Sequence, residues 1–346
     1  MPVGALGSRQ RSAYSVGSSR AVVSLTRSEL ARFAALLSDF QADVVVVEGV
    51  ALAPLFPAIR QSAARLVLDM HNVESELARM IATAEPWTKP FRRCKTLVKA
   101  RALISVERKA VQLADAVWVC SDADRERLAR VTGFTKARVV PNGVPSPMVI
   151  DHPGPARAGP RIIFVGHLGY RPNVRAAREL AEEIMPLLRE RCPNATLTLA
   201  GRSPSRHVLR LAGPFVSIIA NPPVVSALLA QSDFAIIPLR QGGGTRIKIL
   251  EAMASGVVVV ATSVAAEGLD VEAGKHFALA ETAEDMAQAV GRLARDPVAS
   301  AAMSACAREF VASRYSTKVI AEQVVARIRA AMQDGARETP AASVLG

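Results

Sequence analysis

Short runs of β-branched and other apolar residues alternate along this chain with longer segments whose apolar residues recur every three or four positions. The short runs are typical of parallel strands buried on both faces, and the longer segments are typical of the helices that cover such a sheet. The pattern therefore predicts an α/β protein. The predicted strands occupy residues 43–47, 65–68, 116–120, 138–140, 161–165, 196–200, 234–237 and 257–261.

The segments between these strands have helical patterns. Residues 26–39 begin with Thr26, and Glu29 follows three positions later. This is the sequence pattern of a capping box. Residues 98–113 place Leu103 and Ala110 on one face. Further helices are predicted at 173–189, 245–255, 283–293, 298–312 and 317–332.

A connector rich in proline and glycine interrupts the alternation between residues 141 and 160. We expect two Rossmann-like lobes with parallel sheets facing a central cleft, because strands and helices resume after the connector and ligands bind at strand carboxyl ends in such folds. The predicted division is a first lobe at 1–148, a linker at 149–160, a second lobe at 161–332 and a flexible tail at 333–346.

Composition narrows the class of protein. Of the 346 residues, 50% are hydrophobic, which fits two packed domains. The longest apolar runs are far shorter than the ~20 residues that span a bilayer. The four cysteines stand singly, and no His/Cys cluster has metal-ligand spacing. We therefore expect free thiols in a reducing cytoplasm and no bound metal.

The net charge of +12 is concentrated in the first half. The densest run, 89–109, holds eight basic residues against the single acid Glu107. Such a run indicates either a solvated helix face or a surface for an anionic partner. We expect no nucleic-acid partner, because the sequence contains no recognised binding module. If the anionic partner is a membrane, we expect the protein to bind at the inner face of the plasma membrane.

The segment 238–256 carries the clearest candidate chemistry. A predicted strand ends, three glycines follow at 242–244, and a helix begins. Glycines let a ligand approach backbone amides closely, and the start of a helix favours phosphate. Arg246 and Lys248 fall in the first turn, where positive charge opposes the helix dipole, so we expect a bound anion there.

Helical spacing places Lys248 and Glu251 on one stripe, where Glu251 can accept hydrogen bonds from ribose hydroxyls. The alternative is a Lys–Glu surface pair beside a glycine-rich loop. A second stripe, expected to pack into the lobe, consists of Ile247, Leu250 and Ala254. The segment lacks the P-loop spelling, and no GxGxxG follows the first strand, which counts against dinucleotide-dependent oxidoreductases.

In the first lobe, His71 follows the strand 65–68 closely. A histidine at the carboxyl end of a strand projects towards the cleft of a two-lobed α/β fold, where it can bind a sugar hydroxyl or a phosphate. The alternative is a histidine with a structural role.

Eight short motifs follow one another at residues 69–75, 139–144, 163–168, 199–202, 231–238, 242–256, 266–270 and 307–316. In this order, over residues 40–330, they resemble the retaining family-4 glycosyltransferases of the GT-B fold. The resemblance implies transfer of a sugar from a nucleotide-sugar on the second lobe to a sugar or lipid-linked acceptor, with retention at the anomeric carbon. It implies a role in envelope or exopolysaccharide synthesis and no cofactor.

The resemblance also assigns roles to residues. His71 matches the catalytic histidine of the cleft, and Glu251 matches the acid that holds the ribose. The family's first acid falls on Gly243, and the amides of Gly244 and Thr245 are expected to take over part of its contact. The predicted donor-binding set is Gly166, His167, Arg171, Gly201, Arg202, Arg240, Gly243, Gly244, Thr245, Arg246, Lys248 and Glu251.

Two departures qualify the resemblance. The family's phosphate-binding Arg and Lys fall on His167 and Pro172, which shifts the expected charge to Arg246 and Lys248. Residues 1–42 lack the opening strand and glycine-bearing loop of the family, so we expect a truncated first lobe with exposed sheet edges. The alternative functions are a non-catalytic nucleotide-sugar-binding remnant, and an epimerase or phosphorylase of the same fold.

Overall fold

The structure is a computed structural model that describes residues 22–83, 90–145, 159–241 and 246–333. It contains a four-stranded sheet in the order β1-β2-β3-β4 and a six-stranded sheet in the order β10-β9-β8-β5-β6-β7. The first sheet consists of β1 (Val44–Glu48), β2 (Arg65–Met70), β3 (Ala116–Val119) and β4 (Arg138–Val139). The second consists of β5 (Arg161–Val165), β6 (Thr196–Gly201), β7 (Val216–Ala220), β8 (Phe234–Ile237), β9 (Val258–Ala261) and β10 (Ala278–Leu279).

Neighbouring strands of the second sheet run parallel, as do β1, β2 and β3. The side chains of β8 and β9 are buried throughout, as expected for central strands with apolar residues on both faces. The predicted α/β class with two parallel sheets is thereby confirmed.

Helices occupy most of the segments between strands. They are α1 (Arg27–Phe40), α2 (Phe56–Gln61), α3 (Glu74–Thr83), α4 (Pro90–Leu113), α5 (Asp122–Thr132), α6 (Arg171–Glu179), α7 (Met185–Arg191), α8 (Arg206–Leu209), α9 (Ser226–Leu229), α10 (Ile247–Ala254), α11 (Ser263–Ala266), α12 (Ala283–Arg295), α13 (Pro297–Arg314) and α14 (Thr317–Gln333). A 3₁₀ turn spans Val50–Leu55, and a π-helical turn over Leu180–Ile184 joins α6 to α7.

Local sequence explains the helix starts. Thr26 accepts a hydrogen bond from the Glu29 backbone amide, and the Glu29 carboxylate accepts one from the Thr26 amide, which confirms the predicted capping box of α1. The predicted helix 98–113 begins earlier, at Pro90, a residue that the first turn of a helix tolerates well. The predicted packing stripe of α10 is wrong at Ile247, which is 40% exposed, whereas Leu250 and Ala254 are buried.

Contacts divide the chain into two compact units. The first contains Met1–Val119, Arg125–Arg138 and Ile328–Gly346, and the second contains Cys120–Asp124 and Val139–Arg327. Residues just before the predicted boundary at 148 thus group with the second unit, because Val144 exchanges backbone hydrogen bonds with Tyr315 and Thr317. Most of the predicted linker and nearly all of the predicted tail lie outside the described residues.

Candidate functional site

Two glycines bring the carboxyl ends of β5 and β6 close together. The amide of Gly166 donates to the carbonyl of Ala200, and the amide of Leu168 donates to the carbonyl of Arg202. Gly201 has φ +150°, and a Cβ atom at this position would lie 1.6 Å from the Gly166 carbonyl oxygen. Glycine is therefore required at position 201, and the end of the sheet is bare backbone.

A buried asparagine lies beside this backbone. Asn173, in the first turn of α6, is 7% exposed. Its Nδ2 donates to the carbonyl of His167 over 3.1 Å, and its Oδ1 accepts a 2.8 Å hydrogen bond from Lys248 Nζ. A Cβ atom on Gly166 would lie 2.9 Å from Asn173 Nδ2 and 3.1 Å from Lys248 Nζ. These two side chains therefore occupy the space that a side chain at position 166 would need.

The ammonium group of Lys248 is enclosed. Its Nζ lies 4.4 Å from the centre of the Phe164 ring, a cation–π arrangement, and bonds to Asn173 Oδ1. Burial first, and then the like charge of Arg246, lower the pKa of Lys248 to about 7, against the opposing effect of Glu251. Among the described residues, Asn173 Oδ1 is the one hydrogen-bond acceptor of this largely buried ammonium, and a neutral acceptor leaves the charge open to an anion.

Arg246 and Glu251 complete the charged groups around this lysine. Arg246 is buried and is the N-cap residue of α10, so its backbone lies at the electropositive end of that helix. Glu251 lies one turn along α10 and is partly buried. Burial raises the pKa of its carboxyl group, against the lowering effect of Lys248. The structure thus brings Gly166, Gly201, Arg246, Lys248 and Glu251 together at one end of the second sheet.

The other predicted donor residues have different surroundings. His167, Arg171 and Arg202 are exposed. Arg240 forms a 2.6 Å ion pair with Glu179 and donates a hydrogen bond to the Glu281 carbonyl, so its charge is already compensated. The hydrogen bond to Glu179 raises the pKa of Arg240. Gly243, Gly244 and Thr245 lie outside the described residues.

Sequence reasoning missed Asn173, because a neutral side chain in a first helical turn gives no charge signal. Its position is nonetheless informative, since it follows the glycine at the end of β5 by one loop. An amide side chain at such a position can orient a cation that comes from a distant helix. This arrangement depends on the parallel packing of β5 and β8, which the sequence pattern predicts only in outline.

In the first unit, His71 directly follows β2 and is partly exposed. Its Nε2 lies 3.8 Å from Glu48 Oε2, and Glu48 is the last residue of β1. Asp69 is the register partner of Glu48. Burial raises the pKa of Asp69, a change that His71 opposes and Glu48 reinforces. Sequence reasoning missed Glu48, although an acid that ends an apolar strand is a usable signal.

Glu107, the one acid of the basic run, faces inward. Its buried carboxylate accepts a 3.0 Å hydrogen bond from the Ser75 amide and a 2.5 Å hydrogen bond from the Ser75 hydroxyl. Ser75 lies in the first turn of α3, a few residues after His71. Glu107 therefore ties α4 to the start of α3 and occupies the place of a cap for that helix.

The outer face of α4 carries basic and apolar side chains together. Phe91 is 90% exposed and Val98 is 60% exposed. Exposed basic residues on the same helix are Arg92, Lys95, Arg101, Arg108 and Lys109, while Arg93 and Lys99 are only partly exposed. Lys89 lies outside the described residues. We call the exposed basic residues, with Phe91 and Val98, the α4 surface.

No helix in the described ranges is long and apolar enough to cross a membrane. Among the same residues, no group of three or more His, Cys, Asp and Glu side chains is placed to hold a metal ion.

Two family models match the chain. The model for "Glycosyl transferases group 1" matches residues 159–296, and the model for "Glycosyl transferase 4-like domain" matches residues 5–143. With the two parallel sheets, these matches show that the chain belongs to the GT-B glycosyltransferases.

Solved structures share the fold. Sucrose-phosphate synthase from Thermosynechococcus elongatus is 17% identical with a TM-score of 0.71, covering 90% of this chain and 82% of that one. HepE from Anabaena, in complex with UDP and glucose, is 16% identical with a TM-score of 0.68, covering 87% and 81%. TarM is 16% identical with a TM-score of 0.64, and this chain covers 58% of it.

A curated relative is also similar. An uncharacterized 44.6 kDa protein in the cps region of Klebsiella pneumoniae is 24% identical over 128 residues, which make up 34% of this chain. The match spans 33% of that relative.

Proposed function

We propose that the chain transfers a sugar from a nucleoside-diphosphate sugar to an acceptor hydroxyl, with retention at the anomeric carbon. The observation that carries this proposal is the enclosed Lys248 ammonium beside the glycine ends of β5 and β6. HepE, which shares the fold, has been crystallised with UDP and with UDP-glucose, and this supports a uridine nucleotide as the first ligand to test.

The residues suit the charge that develops in such a reaction. The bond between the anomeric carbon and the diphosphate oxygen breaks, and the acceptor oxygen bonds to that carbon. The proton of the acceptor hydroxyl passes to the departing diphosphate. Lys248, Arg246 and the start of α10 stabilise the negative charge on that diphosphate, and Glu251 binds the ribose hydroxyls. This scheme uses side chains and backbone amides and needs no metal cofactor.

Groups of the first unit are assigned to the sugars. Imidazole and carboxylate groups are suitable partners for hydroxyls, and His71 and Glu48 offer one of each at adjacent strand ends. His71 matches the cleft histidine of the family that the sequence resembles, and we assign it to a sugar hydroxyl. Glu48 is a further candidate for a sugar hydroxyl.

Calorimetry with the full chain tests the donor site. UDP and GDP should each be titrated, and saturable binding of one of them is expected. Lys248→Met should weaken that binding at least ~10-fold, because a charge-assisted hydrogen bond is lost. Lys275→Met is the matched control, since Lys275 is an exposed lysine of the same unit that pairs with Glu272. A folded chain that binds neither nucleotide would contradict the proposal.

The acceptor is proposed to be lipid-linked and to belong to envelope or exopolysaccharide synthesis. The similarity to a protein of a cps region supports a polysaccharide role. The α4 surface supports peripheral binding to anionic lipid at the inner face of the plasma membrane, because basic residues near such a surface contribute about 1 kcal/mol each. Exposed Phe91 and Val98 add apolar contact on the same helix.

A second candidate function is nucleotide-sugar binding without catalysis. Gly243, in place of the family's first acid, is the observation that favours it. Incubation with the nucleotide-sugar separates the two functions. Transfer to an added acceptor, or slow hydrolysis of the donor, supports the enzyme. Tight binding with neither product supports the binding protein.

A further inference from the structure

The enclosed ammonium of Lys248 is held by neutral groups. Asn173 Oδ1 accepts its hydrogen bond, the Phe164 ring covers it, and the backbone of Gly166 leaves room for it. These contacts come from β5, α6 and the loop between them, and they contribute no counter-charge. The geometry therefore accommodates a neutral amine as well as an ammonium.

Among the described residues, the charged groups that act on Lys248 come from α10 and its N-cap. Arg246, two positions before it, opposes its protonation, and Glu251, three positions after it, favours protonation. Glu251 is itself partly buried, and the pKa of its carboxyl group is raised. Arg240, the nearest cation before the glycine segment, is compensated by Glu179. Among the described residues only Glu251 favours the ammonium, so Lys248 is partly protonated near neutral pH until an anion binds.

We propose that the Lys248 site binds the diphosphate of its nucleotide together with a proton, and that Asn173 is the positioning residue that holds the lysine ready for both. This inference rests on the proposed function, since it concerns the same donor site. A diphosphate next to Nζ supplies the missing counter-charge, so the amine becomes protonated as the ligand binds. Release of the nucleotide returns the proton to solvent.

Linkage gives the size of the effect. With a pKa of about 7 in the free protein, roughly half of the Lys248 side chains are protonated at neutral pH and few at higher pH. Bound diphosphate raises this pKa, because an opposite charge favours the ammonium. Affinity should therefore fall by roughly 15-fold between about pH 7 and about pH 8.5, and binding at about pH 7.5 should take up about three-quarters of a proton.

The experiment is a calorimetric titration of the full chain with UDP, or with GDP if that nucleotide binds more tightly. Proton uptake is measured from the difference in heat between two buffers of different ionisation enthalpy. Working above neutral pH keeps the terminal phosphate of the nucleotide deprotonated, so the ligand itself takes up or releases little proton. The expected result is the predicted loss of affinity together with the predicted uptake.

Two variants separate proton linkage from other causes of pH dependence. Lys248→Arg keeps a fixed charge, so binding should remain while proton uptake and the loss of affinity disappear. Asn173→Asp places a carboxylate where Oδ1 now lies, 2.8 Å from Nζ, and should keep Lys248 protonated in the free protein. Its proton uptake should also disappear. Lys275→Met, the control, should keep the wild-type uptake.

The outcomes are distinct. If the wild-type chain binds nucleotide with constant affinity and no proton uptake, the inference is overturned and the proposed function stands. If uptake persists in both Lys248→Arg and Asn173→Asp, another group takes the proton, and the inference again fails. If no nucleotide binds at any pH, the proposed donor site itself is wrong.

Discussion

Ser75 and Glu107 are joined by two hydrogen bonds, through the Ser75 amide and the Ser75 hydroxyl, although they lie 32 positions apart in the sequence. Glu107 is fully buried, and its carboxylate faces the first turn of α3. The contact fixes the helix start that follows the loop carrying His71. A single carboxylate on a basic helix thus orders the part of the first unit in which a catalytic histidine is proposed.

Glu107→Ala should destabilise the first unit by about 2–4 kcal/mol, because the α3 amides lose a buried acceptor and a cavity remains. Urea unfolding followed by circular dichroism measures the change. Arg79→Ala, which breaks an exposed pair with Glu76 on the same helix α3, is the control and should cost less than ~1 kcal/mol. Equal losses in the two variants would show that Glu107 has no special role.

Glu107 also predicts a dependence on pH. Burial raises the pKa of its carboxyl group above the ordinary value, although the Ser75 hydrogen bonds oppose this. The folded state therefore holds the proton more tightly than the unfolded state, so the Glu107 contribution to stability falls as pH rises from about 4.5 through the raised pKa. Glu107→Gln should remove this fall. The check compares the unfolding free energies of wild type and variant from about pH 4.5 to about pH 7.5; parallel curves would contradict the prediction.

Lys248→Met should raise the thermal stability of the second unit while it weakens nucleotide binding. The folded pKa of about 7 is below that of an unfolded lysine, so the wild type loses stability as pH falls from about 10 towards about 7. Near neutral pH, a methionine of similar length avoids the buried charge, and a gain of about 2–4 kcal/mol is expected. Differential scanning calorimetry at about pH 7 and about pH 10 should show a larger gain at the lower value. A variant less stable than wild type at both values would refute this account.

Gly201→Ala should be severely destabilising. The added Cβ would lie 1.6 Å from the Gly166 carbonyl, and φ +150° is unfavourable for alanine. The strands must separate, so a loss above ~3 kcal/mol is expected. Gly133→Ala is a matched control, since Gly133 has φ +80° but nothing within 4 Å of the added atom. Thermal unfolding should show a much smaller loss for the control; similar losses would mean that backbone strain alone accounts for the effect.

Replacing Arg92, Lys95, Arg101 and Lys109 together with serine should abolish binding to phosphatidylglycerol vesicles at low salt. Wild-type binding should weaken as salt rises, because screening shortens the reach of the charges. Vesicle co-sedimentation measures both effects. The control replaces four exposed basic residues of the second unit with serine, namely Arg292, Arg295, Arg308 and Lys318. If both variants lose binding equally, net charge rather than the α4 surface is responsible.

The sequence pattern predicts the central strands well, because β8 and β9 are continuous apolar runs that have no plausible place outside a covered sheet. It misses β7 at the edge of the sheet, where residues are only partly buried and alternation is weak. It predicts one helix at 173–189, where the chain forms α6, a π-helical turn and α7. A π turn has no local sequence signal of this kind, since it results from packing.

The residues of the candidate site likewise divide into those that the sequence predicts and those that only the structure shows. The glycines and charged residues of the segment 238–256 identify Lys248 and Glu251 as candidate site residues from the sequence alone. Contacts that join distant segments, such as Asn173 to Lys248 and Glu48 to His71, emerge only when strand order and register are known. The ion pair between Arg240 and Glu179 is another such contact, and it compensates the charge of an arginine that the sequence places in the donor-binding set.

The glycine ends of β5 and β6 also bear on how this protein can diversify. Position 201 has no room for a side chain, and any side chain at position 166 would displace Asn173 or Lys248. Positions 166 and 201 therefore do not tolerate substitution, and variation in ligand preference must come from α10 and the loops. A mutant library aimed at new nucleotides would keep both glycines fixed and randomise exposed neighbours such as His167, Arg171 and Arg202.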